Sequence, residues 1–155
     1  MENKEIREIY FFNDLNDFEI EALRGSIQIK EYEAGDIIFK EGSRGSELYI
    51  VVSGKAGVNK MTAEGDQYKI ITLEKGNVFG IMSFLDEINH DATIIAEQKS
   101  RVIKIEKAAF DNIANSNLSI AFKILRRLAM HLTGIVRKTN REYMDLMHMM
   151  FRKSK

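Results

Sequence analysis

The residues best able to bind an anion lie between positions 78 and 93. The Phe79-Gly80 turn could supply backbone amides and Ser83 a hydroxyl, and proteins use such donors to bind phosphate. His90 could add a weak cation or, less readily, a ligand to haem iron. A lone histidine at a loop edge is more often solvated or satisfied by hydrogen bonds. The candidate pocket residues are Val78, Phe79, Gly80, Ile81, Met82, Ser83, His90, Asp91, Ala92 and Thr93.

The residue patterns of common enzymes are not found in this chain. It contains no nucleophile elbow in a Ser-His-Asp order, no GxxxxGK(S/T) phosphate loop and no HExxH motif. Its carboxylates show no paired spacing that singles any of them out. A count of 0 cysteines removes disulfides, thiolate metal sites and cysteine catalysis. We therefore predict a protein that is not an enzyme and has no metal site.

Composition limits the chain to one domain and limits its partners. The 155 residues suffice for one domain with a core but not for two of usual size. With 23 Lys plus Arg against 23 Asp plus Glu, no net field attracts nucleic acid or membrane. The first residues are too polar for a signal peptide, and no apolar run reaches the length of a membrane span. We expect a cytoplasmic protein that does not contact membranes.

The elements that must position the candidate pocket are short strands between glycine turns. Asn16 followed by Glu19 predicts a helix start, with Phe18, Ala22 and Leu23 as its apolar face and an end near Gly25. Strands are predicted at 37–39, 48–52, 68–73, 92–96 and 102–105, with a hairpin loop at 61–67. The predicted segments are a helical 1–25, a barrel or sandwich at 26–106 and helices from 107 to 155.

The last segment predicts two helices that differ greatly in length. A short helix at 108–114 and a break at 115–117 precede a helix from about 118 to 152, since only Gly134 interrupts the pattern. At 1.5 Å per residue this last helix would be about 50 Å long. A barrel of this size has a radius of gyration of only ~13 Å. The helix is therefore expected to extend beyond the barrel.

Apolar residues follow a heptad repeat along this long helix and predict a coiled coil between two copies of the chain. The predicted dimer interface consists of Phe122, Leu125, Ala129, Leu132, Val136, Thr139, Tyr143 and Leu146, with Met150 continuing the repeat. A second stripe of Ile124, Leu128 and Ile135 is expected to pack on the chain's own barrel. The alternative is that both stripes fold back into one monomeric core.

The stretch from Gly76 to Leu85, followed by residues 89–94, resembles the phosphate-binding cassette of cyclic nucleotide-binding domains. The resemblance runs from about residue 8 to about residue 138 and includes the Glu41-Gly42 and Ser53-Gly54 turns between strands. In that family the Phe-Gly pair precedes a Glu that binds the ribose hydroxyl, and an Arg further on pairs with the cyclic phosphate. Those positions hold Ile81 and His90 here, and an alignment one residue longer gives Asp91 instead of an arginine.

The resemblance to catabolite activator proteins and protein kinase A regulatory subunits implies a fold and a way of assembly. The fold would be mainly β with flanking helices: a double-stranded β-helix (jelly-roll) barrel, a short N-terminal helix and a long C-terminal helix that joins two subunits in parallel. Transcription factors of the family carry a helix-turn-helix after that helix, and this chain ends where it would begin. We therefore expect no sequence-specific DNA binding.

The missing charges predict weak or lost binding of cyclic nucleotides. Each hydrogen bond to a charged group contributes roughly 1.5–3 kcal/mol, so losing two costs about 3–6 kcal/mol, or ~10²- to 10⁴-fold in affinity. We expect a stand-alone, homodimeric bacterial regulatory or adaptor protein. The alternative is a receptor that binds a cyclic nucleotide or another effector through non-standard contacts. The adaptable methionines near the C-terminal end, Met144, Met147, Met149 and Met150, could bind a partner protein.

Overall fold

The N-terminal segment forms a cap of short helices. The computed structural model describes residues 1–152 and begins with α1 (Asn3–Glu8), a 3₁₀ turn (Tyr10–Phe12) and α2 (Asp17–Arg24). Asn16 starts α2 as predicted, because its side chain accepts from the Glu19 amide while the Glu19 carboxylate accepts from the Asn16 amide. The predicted apolar face was wrong in part: Phe18 is 89% exposed, whereas Ile20 and Leu23 are buried.

Eight antiparallel strands form two four-stranded sheets. One sheet has the order β1 (Ile27–Tyr32), β8 (Ser100–Glu106), β3 (Glu47–Ser53) and β6 (Val78–Phe79). The other has the order β2 (Ile37–Phe39), β7 (Thr93–Ala96), β4 (Ala56–Met61) and β5 (Gln67–Leu73). This arrangement confirms the predicted jelly-roll barrel with flanking helices. The hairpin between β4 and β5 is also where it was predicted, with Gly65 at a φ of 90° in its turn.

One short helix, α3 (Ile81–Asp86), lies between β6 and β7, and two helices follow the barrel. α4 spans Lys107–Ser116 and α5 spans Leu118–Arg152, in agreement with the predicted long helix. Asn117 lies between them and its side chain accepts from the amide of Ile120 at 3.4 Å. The last three residues of the predicted segment 107–155 lie outside the described residues.

Only the first half of α5 packs on its own chain. Ile124 and Leu128 are buried as predicted, but Ile135 is 47% exposed, so the predicted second stripe ends one turn early. Leu132, predicted for the dimer interface, is partly buried against the core. The reason is length: after Leu132 the helix has passed the edge of the barrel and has no surface of its own chain to contact.

Two cores lie on opposite faces of the first sheet. Along β3, Leu48 and Ile50 join a cluster formed with the helices, whereas Tyr49 and Val51 point into the barrel. Successive side chains of a strand point to opposite faces, so one strand serves both cores. The short strand β6 is divided in the same way, with Val78 in the helical cluster and Phe79 in the barrel.

Candidate ligand site at the β6–α3 turn

Gly80 makes the turn that joins β6 to a short helix, α3 (Ile81–Asp86). Its φ of 73° lies in the left-handed region, which favours glycine. A Cβ atom at this position would lie 2.6 Å from the backbone oxygen of Glu47, so the turn also depends on close contact between two backbones. A side chain is therefore excluded here both by φ and by space.

The His90 side chain fills the space between this turn and the barrel. It is only 5% exposed, and its ring stacks on Phe39 with the centroids 3.7 Å apart and the planes 11° from parallel. Its Nδ1 lies 3.1 Å from the hydroxyl oxygen of Ser83, which is itself buried. Both the ring and the residue to which it bonds are thus removed from solvent.

The backbone of His90 is fixed as firmly as its ring. Its amide donates to the carbonyl of Ser43 at 2.9 Å, and its carbonyl accepts from the amide of Gly42 at 2.7 Å. Gly45 leaves room for the ring, since a Cβ atom there would lie 1.9 Å from Nε2. The loop after β2 therefore surrounds the histidine that follows α3.

The electrostatics of the site oppose a charged imidazole. Burial lowers the pKa of His90, and the carboxylates of Glu47 and Asp91 offset this only in part. Because the charges that act on the ring are carboxylates, an incoming phosphate would meet negative charge. In this arrangement burial favours the neutral imidazole, which is held by the hydrogen bond to Ser83 and by stacking on Phe39.

The candidate residues are not gathered around one cavity. Phe79, Ser83 and His90 face the barrel, whereas Ile81 is 5% exposed and belongs to the helical cluster. Met82 is 59% exposed, and Asp91 also lies in solvent. Val78 points away from the barrel, and Gly80 forms the turn. Ala92 is half-buried, and the hydroxyl of Thr93 accepts a hydrogen bond from the amide of Glu41 at 3.0 Å.

Sequence reasoning missed the aromatic wall beside His90, which consists of the rings of Phe39, Tyr49 and Phe79. Phe39 and Tyr49 were parts of the strand pattern, but their rings lie 5.5 Å apart and both contact the Phe79 ring, at 6.0 and 5.1 Å. Burial raises the pKa of the Tyr49 hydroxyl, with Glu47 adding to the effect. Within residues 1–152 no three side chains are placed to hold a metal ion, and no helix is long and apolar enough to cross a membrane.

The profile of the cyclic nucleotide-binding domain family matches residues 29–117, which include both sheets except the first two residues of β1, and the turn at Gly80. The chain belongs to this family. It is 29% identical over 108 residues to the cAMP-dependent protein kinase regulatory subunit of Blastocladiella emersonii, a match that covers 70% of this chain and 27% of that protein. The chain thus spans about a quarter of the length of such relatives. The family is regulatory rather than catalytic.

Two solved structures show the same fold in different proteins. The catabolite activator protein of Thermus thermophilus is 26% identical with a TM-score of 0.75, and the match covers 89% of this chain and 62% of that one. The second is a triple mutant, bound to cAMP, of the regulatory subunit of a cAMP-independent protein kinase A from Trypanosoma brucei. It is 24% identical with a TM-score of 0.66, and the match covers 80% of this chain and 44% of that one.

Proposed function

We propose that this protein is a homodimeric, cytoplasmic regulatory or adaptor module whose nucleotide site is closed by its own His90, so that it binds cAMP and cGMP weakly or not at all. The observation that carries this proposal is the position of the His90 ring. It is buried at the family's arginine position, stacked on Phe39 and bonded to Ser83. The side chain that should pair with a phosphate instead fills the site.

Binding of a cyclic phosphate would require two unfavourable changes. The ring must leave Phe39 and Ser83, which forfeits a stacking interaction of about 0.5–1.5 kcal/mol and a hydrogen bond of about 1 kcal/mol. The phosphate must then approach Glu47 and Asp91 without the arginine that pairs with it in the family. Both changes add to the cost of the missing ion pair.

A protein of the same fold offers a comparison. The Trypanosoma brucei regulatory subunit belongs to a kinase described as cAMP-independent, and its cAMP-bound form carries three substitutions, one of which replaces a threonine with arginine. In that protein a gained arginine accompanies cAMP binding. Because the family pattern has an arginine that pairs with the cyclic phosphate, arginine in place of His90 is the change most able to restore binding here.

The exposed face of α5 supports the homodimer. Phe122 is 65% exposed, Val136 56% and Tyr143 59%, all at one position of the heptad. Leu125 and Leu146, at the other position, are 43% and 50% exposed. Because an apolar stripe of this length is costly in water, a second copy of the helix is the partner that matches its repeat. The exposed group of Met144, Met149, Met150 and Phe151 offers a further surface for a partner protein.

A second candidate function is a receptor for a flat effector. The observation that favours it is the aromatic wall of Phe39, Tyr49 and Phe79, which would become accessible if the His90 ring turned outward. Aromatic rings stack well on a base or another planar molecule. This receptor would be recognised by tight binding of the unmodified protein to such a ligand.

Titration calorimetry with cAMP and cGMP tests the proposal. We expect the unmodified protein to bind with a Kd above about 10 µM, and His90→Arg to bind cAMP about 10- to 100-fold more tightly because one charge-assisted bond is restored. His148→Arg, which adds the same charge on the exposed end of α5, is the matched control and should not change binding. We leave Ile81 unchanged, since a carboxylate in its buried position would be destabilising.

The outcomes separate the two functions. A Kd of the unmodified protein below about 10 µM would contradict a closed site and favour the receptor. If His90→Arg folds and gains nothing over His148→Arg, the imidazole is not what prevents binding, and the role proposed for His90 is wrong.

A further inference from the structure

A second cleft lies on the other side of the first sheet from His90. It has a volume of about 140 Å³ and is bounded by the 3₁₀ turn, by β6 with the turn before it, and by α5. Phe11, Val78 and Met130 form its apolar walls, and Arg127 and His131 are its polar groups. Val78 and Phe79 point to opposite faces of β6, so this cleft is separate from the nucleotide site.

Arg127 gives the cleft its charge. Its side chain is 9% exposed, its guanidinium lies 4.4 Å from the centre of the Tyr10 ring, and it donates to Asn13 and Asp14. Its Nε is buried and makes no hydrogen bond within the described part of the chain. This nitrogen is closed off from the cleft, so what Arg127 offers a ligand there is the positive charge of its guanidinium.

The local charge balance is positive. Asp14 is shared by Arg127 and Arg126, the latter at 3.9 Å, so two guanidinium groups face one carboxylate. Arg126 is 60% exposed and does not line the cleft. The surplus positive charge is therefore next to a cavity whose remaining walls are mainly apolar, and this combination favours an anion with an apolar body.

Volume limits the ligand further. Sites for drug-sized ligands usually measure about 300–1,000 Å³, well above the volume of this cleft. A cyclic nucleotide would not fit, whereas a single aromatic ring or a short branched chain would. A carboxylate is a small planar anion that pairs with a guanidinium and suits this volume.

We propose that this cleft binds a small apolar carboxylate, with its charged group on Arg127 and its body between Phe11, Val78 and Met130. Such a ligand would contact the N-terminal cap, the strand that leads to Gly80, and the long helix at the same time. It would therefore stabilise their present arrangement. This inference does not depend on whether the other site binds a nucleotide.

Benzoate is the probe, and the methionine methyl groups provide the readout. In a protein labelled with ¹³C at these methyls, the resonance of Met130, assigned with Met130→Leu, should move on titration and saturate with a Kd below about 1 mM. Met61 in the hairpin and Met82 on α3 are exposed and do not line the cleft, so they should not move. Benzamide, which has the same ring without the charge, should bind at least about tenfold more weakly.

Variants separate the cleft from unspecific binding. Arg127→Gln should abolish the shift, whereas Arg126→Gln, the matched loss of an exposed neighbouring charge, should weaken binding without abolishing it. Because Arg127 also holds Asn13 and Asp14, Met130→Trp provides a block that leaves this cluster intact. Saturation transfer to the benzoate ring should disappear in Met130→Trp.

Three results of the titrations would overturn the inference. They are an unmoved Met130 at about 10 mM benzoate, equal movement of all three methyl groups, and equal binding of benzamide. Persistence of saturation transfer in a folded Met130→Trp would do the same, because the ligand would then lie elsewhere.

Discussion

Replacement of His90 by alanine should destabilise the protein even though no partner chain or ligand is involved. The ring stacks on Phe39 at 3.7 Å, and loss of an aromatic pair costs about 0.5–1.5 kcal/mol. The Ser83 hydroxyl is 4% exposed and would lose the acceptor or donor that the ring provides, at about 1–3 kcal/mol. The two effects partly overlap, so we expect a loss of about 2–4 kcal/mol.

Urea unfolding at about pH 7.5 measures this loss, and two comparisons define its origin. His148→Ala is the matched control, because His148 is exposed on α5, and it should change stability by less than about 0.5 kcal/mol. A double-mutant cycle between His90→Ala and Ser83→Ala should give a coupling energy of about 0.5–3 kcal/mol, as expected for residues in contact.

The result that would refute this reasoning is a small effect. If His90→Ala costs no more than His148→Ala, and the cycle shows no coupling to Ser83, the ring does not hold the site closed in solution. The unmodified protein would then have an open site at the family's ligand position, and the weak nucleotide binding would need another cause.

Three further predictions follow from the same structure. Burial lowers the folded-state pKa of His90 below its ordinary value of 6.5, so its neutral form contributes stability that is present above about pH 6.5 and lost as pH falls through the folded-state pKa. In urea unfolding between about pH 8 and pH 5, the stability lost in His90→Ala should therefore become smaller towards the acid end. A loss that stays constant across this range would contradict the prediction. Val136→Glu, in the predicted dimer interface, should give a monomer by light scattering at tens of micromolar, whereas Met144→Glu, at an equally exposed position beside that interface, should not. If the unmodified protein is itself a monomer, the proposed homodimer is wrong. Gly80→Ala should lower stability by more than about 1 kcal/mol, because φ is 73° and a backbone oxygen lies 2.6 Å from the new Cβ. Gly134→Ala, in the middle of α5 with free space around the new Cβ, should raise stability by about 0.5–1 kcal/mol. Equal effects of the two substitutions would show that the Gly80 turn is not constrained.

The fold was predictable because local signals agreed with the tertiary structure. The Asn16 and Glu19 capping box and the hairpin around Gly65 are short-range features, and each occurs where the sequence indicates it, whereas the break predicted at 115–117 is confined to Asn117. The helix from Leu118 to Arg152 was also predictable, because apolar periodicity without proline extends over that length. In these segments propensity and packing favour the same conformation.

The parts that were not predicted depend on contacts far apart in the chain. Strand β4 includes Ala56, Gly57 and Asn59, which have little strand propensity, and it forms because β5 and β7 pair with it on both sides. Phe18 was expected on the buried face of α2, but that helix buries Ile20 and Leu23 instead and turns Glu19 towards α5, where it accepts two 2.7 Å bonds from Lys123. No local pattern contains that ion pair.

The candidate site shows most clearly the difference between features set by local sequence and features set by contacts between distant segments. The glycine turn at Gly80 was evident from the sequence, but the environment of His90 was not, because it is formed by residues from other segments. Phe39 lies about fifty positions earlier in the chain, and Gly45 matters only because it has no side chain. A pattern can identify a missing arginine, whereas only the packing shows that the replacement fills the space itself.

The same packing places β6 between the site and the long helix. Phe79 contacts Phe39, on which His90 stacks, and Val78 belongs to the cluster that includes Ile124 and Leu128 of α5. Gly80 follows directly and cannot accept a side chain, so this short strand has little freedom to adjust. Since packed cores resist small displacements, movement of His90 out of its site would have to be absorbed either by the aromatic wall or by the packing of α5. If the aromatic wall absorbs the movement, the predicted dimer stays unchanged, and if the packing of α5 absorbs it, the dimer is altered. The Phe39–Phe79 contact therefore decides whether ligand entry affects assembly.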